Sequence, residues 1–117
     1  MQLATDGDRQ TCEFGIVYDT REQRPWTFQG IQAGKGSRKL LSIQLVRKCL
    51  RAGDYSIAGF ESRVCIERKS VADAVSTIIR GRERFRRELQ RMADYESSHV
   101  IIEGDLSNIL KQMPELT

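Results

Sequence analysis

Three residues near the middle of this 117-residue chain have the types and spacing to hydrolyse a phosphodiester: Asp54, Glu67 and Lys69. Two carboxylates supply hard oxygen donors for Mg²⁺ or Mn²⁺, and an ammonium two residues past the second stands beside an attacking water or a scissile phosphate. Asp54 follows Gly53, Glu67 comes thirteen residues later in Glu67-Arg68-Lys69, and Asp73 lies four beyond the lysine. Residues 53–58 and 63–69 read as two strands joined by a turn at Gly59-Phe60-Glu61-Ser62. A hairpin centred between Phe60 and Glu61 sets Asp54 opposite Glu67, so both carboxylates leave one face of the sheet. Lys69, two residues after Glu67, leaves the same face. A slip of one residue would undo the convergence.

Each residue also has a plainer explanation. Asp54 after a glycine suits a turn, and Glu67 with Lys69 suits a surface ion pair. Ser70-Val71-Ala72-Asp73 has the Ser-x-x-acid form of a capping box, which is the favoured role for Asp73, with any metal role secondary. The joint pattern, and no single residue, carries the catalytic reading.

The elements around these residues must position them. Residues 1–12 read as a polar tail and 13–117 as one domain. Residues 14–18, Phe-Gly-Ile-Val-Tyr, predict a core strand that delivers Asp19 at its end, although Asp19-Thr20-Arg21-Glu22 equally suits a capped turn. Residues 23–36 read as a loop, and its Gly34-Lys35-Gly36-Ser37 does not meet the spacing of a phosphate loop. The apolar residues of 38–52 predict a helix closed by Gly53 as its C′ residue. Beyond the hairpin, Ser70 caps a helix whose Val71, Ala74, Val75, Ile78 and Ile79 face the core. A second helix spans 80–95, residues 98–103 form a buried strand, and 105–111 begin another helix. This order predicts an α/β fold, a three-layer sandwich with a central mixed sheet.

Charge is unevenly spread. Residues 21–91 hold seventeen basic and seven acidic residues, while both ends are acidic, so positive charge surrounds the carboxylate motif as a polyanionic substrate requires. Residues 80–91 alone carry six arginines and two glutamates. Arg82 and Arg84 are the leading phosphate contacts, with Arg86 and Arg87 beside them; the alternative is a solvated face with pairs such as Arg84–Glu88. Trp26 could stack on a splayed base, or pack its loop on the sheet. His99, in an apolar strand, reads as a packed core residue. Cys12, Cys49 and Cys65 have no CxxC spacing and read as reduced, mostly buried thiols. No apolar run reaches membrane-spanning length and the start lacks a leader pattern, so no membrane partner is expected. The expected setting is intracellular, nuclear in a eukaryote and cytoplasmic in a prokaryote or virus.

Together, Gly53-Asp54, Glu67-Arg68-Lys69 and Asp73 resemble the GD…ERKxxxD signature of the XPF-type structure-specific endonucleases, a branch of the PD-(D/E)xK nucleases. Val17-Tyr18-Asp19-Thr20-Arg21-Glu22 resembles that family's first acidic motif, and Gly81-Arg82-Glu83-Arg84-Phe85 stands where members begin a basic helix. The resemblance spans Phe14 to Ile109. It implies a restriction-endonuclease-like fold with Asp19, Asp54 and Glu67 as Mg²⁺ or Mn²⁺ ligands, joined by the carbonyl of Arg68. Lys69 would polarise the water, and Arg21, Glu22, Arg68 and Asp73 would support the site or touch phosphate. The implied substrate is branched or flapped duplex DNA, cut near a single-strand/double-strand junction, and the implied assembly is a homodimer or a heterodimer with a related subunit. Two departures stand out: nothing here encodes a helix-hairpin-helix module, and the closing helices are short. The rival readings are a non-catalytic DNA-binding or scaffold subunit, and a junction-resolving or restriction-type nuclease.

Overall fold

The computed structural model describes residues 9–112. In chain order its elements are β1 (Arg9–Thr11), β2 (Ile16–Asp19), β3 (Leu40–Ser42), β4 (Leu45–Lys48), β5 (Tyr55–Ile57), β6 (Val64–Ser70), α1 (Val71–Ile79), α2 (Arg82–Met92), β7 (Ser97–Glu103) and α3 (Leu106–Gln112). Five strands form a mixed sheet in the order β4-β2-β5-β6-β7, the α/β arrangement expected, and β1 with β3 makes a separate two-stranded ribbon. β2 runs parallel to β4 and antiparallel to β5, while β6 is antiparallel to β5 and parallel to β7. Parallel neighbours need a crossover, and α1 and α2 supply the one between β6 and β7.

The helix expected over 38–52 does not form. That segment holds β3 and β4 instead, with Leu45 beside Ile16 and Val46 beside Val17. An apolar run this dense fits a helix face and a pair of short strands alike, and pairing to β2 decides between them. The links between the two strands are anchored as well: the Ile16 N–H donates to the Gln44 carbonyl at 2.8 Å and the Cys12 N–H to that of Ser42 at 2.9 Å. The polar tail is likewise shorter than expected, since residues 9–11 pair with β3.

Gly53 therefore ends no helix. Its φ of +76° is left-handed, and a Cβ there would stand 2.7 Å from the Cys65 Sγ and 2.9 Å from the Ile66 carbonyl oxygen. The backbone passes so close over β6 that only glycine fits. That close passage places Asp54 on the sheet.

The core is built from Val17, Leu50, Tyr55 and Cys65 with Ala74 and Val75 of α1 and Met92 of α2. Val17 is 1% exposed, a burial worth roughly 1.5–3 kcal/mol. Ser70 caps α1 as expected, its Oγ accepting from the Asp73 N–H at 3.1 Å. Ile78 and Ile79, expected in the core, are largely exposed near the end of α1. β7 is an edge strand, not a buried one: Ile101 is 43% exposed, and His99 lies outside the core with its ring nitrogen 2.8 Å from the Ser97 Oγ. Cys65 is buried and Cys12 partly so, whereas Cys49 is exposed against expectation. No helix among the described residues is long and apolar enough to cross a membrane.

Candidate active site

The hairpin register that converges the carboxylates is present. Tyr55 pairs with Ile66, which centres the hairpin between Phe60 and Glu61 and sets Asp54 against Glu67. The Asp54 N–H donates to the Ile66 carbonyl at 2.8 Å, and the Arg68 N–H returns to the Asp54 Oδ2 at 2.8 Å. Asp54, Glu67 and Lys69 all line one cleft of about 850 Å³, whose far wall is the N-terminal two-thirds of α2. The Lys69 Nζ lies 3.8 Å from the Glu67 Oε1 and 5.3 Å from the centre of the Phe85 ring on α2. A cation on an aromatic face gains a modest electrostatic attraction, so the ammonium is held from both sides.

The electrostatics of this floor are unbalanced. Burial, then the charges of Asp54 and Glu88, and a hydrogen bond shared with the Glu88 side chain push the Glu67 carboxyl up to about 8; the Lys69 charge opposes them and does not prevail. Asp54 is also raised, chiefly by burial, against the pull of the Arg68 N–H. Cys65, beneath them, is pushed up to about 11 by burial and by the same carboxylates. The cleft floor carries more negative charge than its own cation offsets.

Asp19 behaves in the opposite way. It is 1% exposed and does not line the cleft. Its Oδ2 accepts from the Arg21 Nε at 2.7 Å and the Arg21 N–H at 3.1 Å, and its Oδ1 from the Leu50 N–H at 2.8 Å. Burial alone would raise its pKa, but these bonds from Arg21 and Leu50 leave it below the usual carboxylate value. Its own N–H donates to the Asp54 carbonyl at 2.8 Å. Asp19 thus ties the ends of β2 and β4 to the start of β5. Glu22, three residues on, is the carboxylate of this motif that reaches the cleft. Its Oε2 is buried, accepts no hydrogen bond, and has only the Arg68 guanidinium near it, at 3.7 Å.

Arg68 is fully engaged within the protein. It donates to Glu103 at 2.7 Å, to the Arg24 carbonyl at 2.6 Å and to the Tyr55 hydroxyl at 3.3 Å, and it covers the Trp26 ring at 4.6 Å. Its pKa is raised, first by the bond to Glu103, whose own is lowered in return. Trp26 stacks on Tyr55 with ring centres 4.6 Å apart, and its indole N–H donates to Glu103 at 3.3 Å. The packing alternative describes Trp26, and the supporting alternative describes Arg68. Arg21 is 75% exposed and paired to Asp19. Asp73 lines the cleft from the first turn of α1.

Along α2 the arginines divide. Arg84 and Arg87 line the cleft. Arg82 donates its Nε to the Ile78 carbonyl at 2.8 Å and Arg86 lies 3.9 Å from Glu83, and neither lines the cleft. The residue that sequence reasoning missed is Glu88, a lining residue whose charge reaches Glu67 and Asp54. The signal was its spacing: Gly81, Arg84, Phe85 and Glu88 repeat at helical intervals and share a face.

Residues 18–115 match the family model described as the ERCC4 domain. The chain belongs to the ERCC4-domain family. That is the XPF-type nuclease domain whose signature the sequence carries. Among solved structures this ERCC4 domain is similar to XPF from Aeropyrum pernix, with a TM-score of 0.52 and 23% identity over 86% of this chain. It spans 47% of that protein's chain, and the likeness shows a shared fold. No curated protein matches the sequence.

ERCC4 nucleases generally use a divalent metal, and the chemistry of the donor set here fits one. Asp54, Glu67 and Glu22 offer hard oxygens, the Glu22 Oε2 is a buried acceptor without a donor, and the floor has excess negative charge. As the side chains stand, no three His, Cys, Asp or Glu among the described residues are near enough to share an ion. Binding would require the carboxylates to turn inward.

Proposed function

We propose that this ERCC4 domain is a Mg²⁺- or Mn²⁺-dependent DNA endonuclease that hydrolyses phosphodiester bonds in branched or flapped duplexes. The observation that carries the reading is the joint placement of Asp54, Glu67 and Lys69 on one cleft floor beneath the basic wall of α2. Asp54, Glu67 and Glu22 are the residues that would hold the ion, with Asp19 bracing Asp54 from below. A divalent cation bound there supplies Lewis-acid screening of the phosphate and eases deprotonation of a water.

The protein's own groups do the rest. Arg84 and Arg87 hold the phosphates at the cleft wall, where charge-assisted bonds are strong and salt-sensitive. Lys69, pinned between Glu67 and Phe85, directs its ammonium at the developing charge on the scissile phosphate. Lys69 pre-oriented in this way loses little reorganisation energy during the reaction. Arg68 keeps the loop of Trp26 packed against Tyr55 and leaves the DNA to the α2 arginines.

The test is cleavage of labelled flap, fork, junction and plain duplex DNA with Mn²⁺, Mg²⁺ or EDTA, run beside Lys69→Ala. Metal-dependent cutting of a branched substrate, abolished in the variant, is expected. Binding of these DNAs without cutting under any metal would overturn the catalytic reading in favour of a DNA-binding subunit.

A further inference from the structure

Helix α2 does more than wall the cleft with arginines. Its face toward the floor places Phe85 against the Lys69 ammonium at 5.3 Å, and Glu88, nearly one turn further, lines the same cleft. There Glu88 shares a side-chain hydrogen bond with Glu67, so two carboxyl groups from different elements are directed at one place. No ion pair accounts for this. Arg84, four residues earlier and the expected partner, forms no bridge to Glu88, and the Lys69 ammonium is paired with Glu67. A glutamate that only balanced the arginines of its own helix would turn toward them.

We propose that Glu88 is a further carboxylate ligand of the divalent cation, delivered from α2 to the ion held by Asp54 and Glu67. This rests on the reading of the cleft as a metal-dependent nuclease site and names a residue that reading does not include. Two carboxylates aimed at the same point repel unless a positive charge stands between them, and hard oxygens select Mg²⁺ or Mn²⁺ for that position. It also gives α2 a double role. The helix that carries Arg84 and Arg87 would be fastened to the floor by the ion, so metal binding would order the phosphate-binding arginines as it completes the site.

The experiment is direct Mn²⁺ binding, read by the paramagnetic resonance of the free ion, on the full chain and on Glu88→Gln and Glu67→Gln. Melting temperatures without metal are taken alongside. Glu88→Gln is expected to weaken Mn²⁺ binding roughly tenfold or more. Its melting temperature without metal should hold or rise, because a repulsive neighbour of Glu67 is removed. Wild-type Mn²⁺ affinity in Glu88→Gln, with affinity abolished in Glu67→Gln, would overturn this proposal and leave the nuclease reading standing. No Mn²⁺ binding by the wild type would overturn both. Should Glu88→Gln fail to fold, Glu88→Asp decides, since it keeps the charge but withdraws the oxygens by one methylene. Weakened Mn²⁺ binding then supports the role as ligand, and unchanged binding overturns it.

Discussion

Two buried carboxylates lie on neighbouring strands of this sheet, one on each side of the Asp54 backbone, and they are treated in opposite ways. Asp19 accepts three hydrogen bonds, is held below its ordinary pKa and does not reach the cleft. Glu67 faces other carboxyl groups with one lysine for compensation and is pushed up to about 8. The side-chain chemistry is nearly the same, and what differs is the supply of donors around it. A carboxylate whose lone pairs are already filled by Leu50 and Arg21 serves the fold. One left short of positive charge is available to a cation, and such imbalance is where ligand-binding sites concentrate.

Exchanging each carboxylate for a neutral group separates the two roles most widely. Asp54→Asn and Glu67→Gln are expected to reduce cleavage about a thousandfold or more, since a metal's several kcal/mol of transition-state stabilisation is at stake. DNA affinity should stay near wild type, because the phosphate-binding arginines lie on α2. Cleavage at wild-type rate by either variant would remove the carboxylates from the chemistry. Asp19→Ala should instead lower stability by about 1–3 kcal/mol, the cost of leaving the Leu50 N–H without its acceptor. In that variant the urea midpoint falls, and Mn²⁺ affinity of the folded fraction changes less than in Glu67→Gln. A drop in Mn²⁺ affinity as large as that of Glu67→Gln would make Asp19 a ligand after all.

The two carboxylates also pull stability in opposite directions with pH. Glu67 ionises near 4.5 in the unfolded chain and near 8 in the folded one. Its preference for the folded state is complete below pH 4.5 and is lost as the pH rises through about 8. Asp19 has its folded value below 3.8, so its contribution is present above that and disappears as the pH falls through the folded value. Urea unfolding in EDTA should therefore show wild-type stability declining from pH 4.5 to 8, with Glu67→Gln flattening that decline. The acid-side loss below pH 3.8 should persist in Glu67→Gln and weaken in Asp19→Asn. A wild-type curve that is flat between pH 5 and 8 would contradict the crowding of carboxylates on the floor.

How far the sequence reveals this depends on whether a residue's partners are local. The hairpin is legible, because a four-residue turn between alternating strands fixes its register and thereby opposes Asp54 and Glu67. The Ser70 cap is legible for the same reason. The segment 38–52 is not: Leu45 and Val46 are strand residues only because Ile16 and Val17 lie beside them, a pairing across some thirty positions that no local period reports. Gly53 reads locally as a helix end, when its true constraint is the Cys65 side chain and the Ile66 carbonyl pressed against it. Within Asp19-Thr20-Arg21-Glu22 the sequence marks two acids and cannot say which faces the cleft; the Leu50 N–H decides by occupying Asp19. Glu88 stands among arginines and reads as a partner for one of them, because its actual neighbour, Glu67, is far away in sequence.

The arginines of α2 sharpen the comparison from the positive side. Arg84 and Arg87 line the cleft, whereas Arg82 and Arg86 are occupied by the Ile78 carbonyl and by Glu83. If engagement within the protein separates structural from functional charge, as it does for Asp19 and Glu67, the two pairs should behave differently on DNA. Arg84→Ala with Arg87→Ala should weaken binding and reduce the slope of log K against log salt by about 2, close to 1 for each phosphate no longer neutralised. Arg82→Ala with Arg86→Ala removes the same formal charge and should change the slope by less than half as much. The control matters because general attraction to a polyanion depends on total charge and treats all four arginines alike. Equal slopes in the two double variants would mean that α2 acts as a diffuse basic surface, and that the cleft does not select which arginines meet the phosphates.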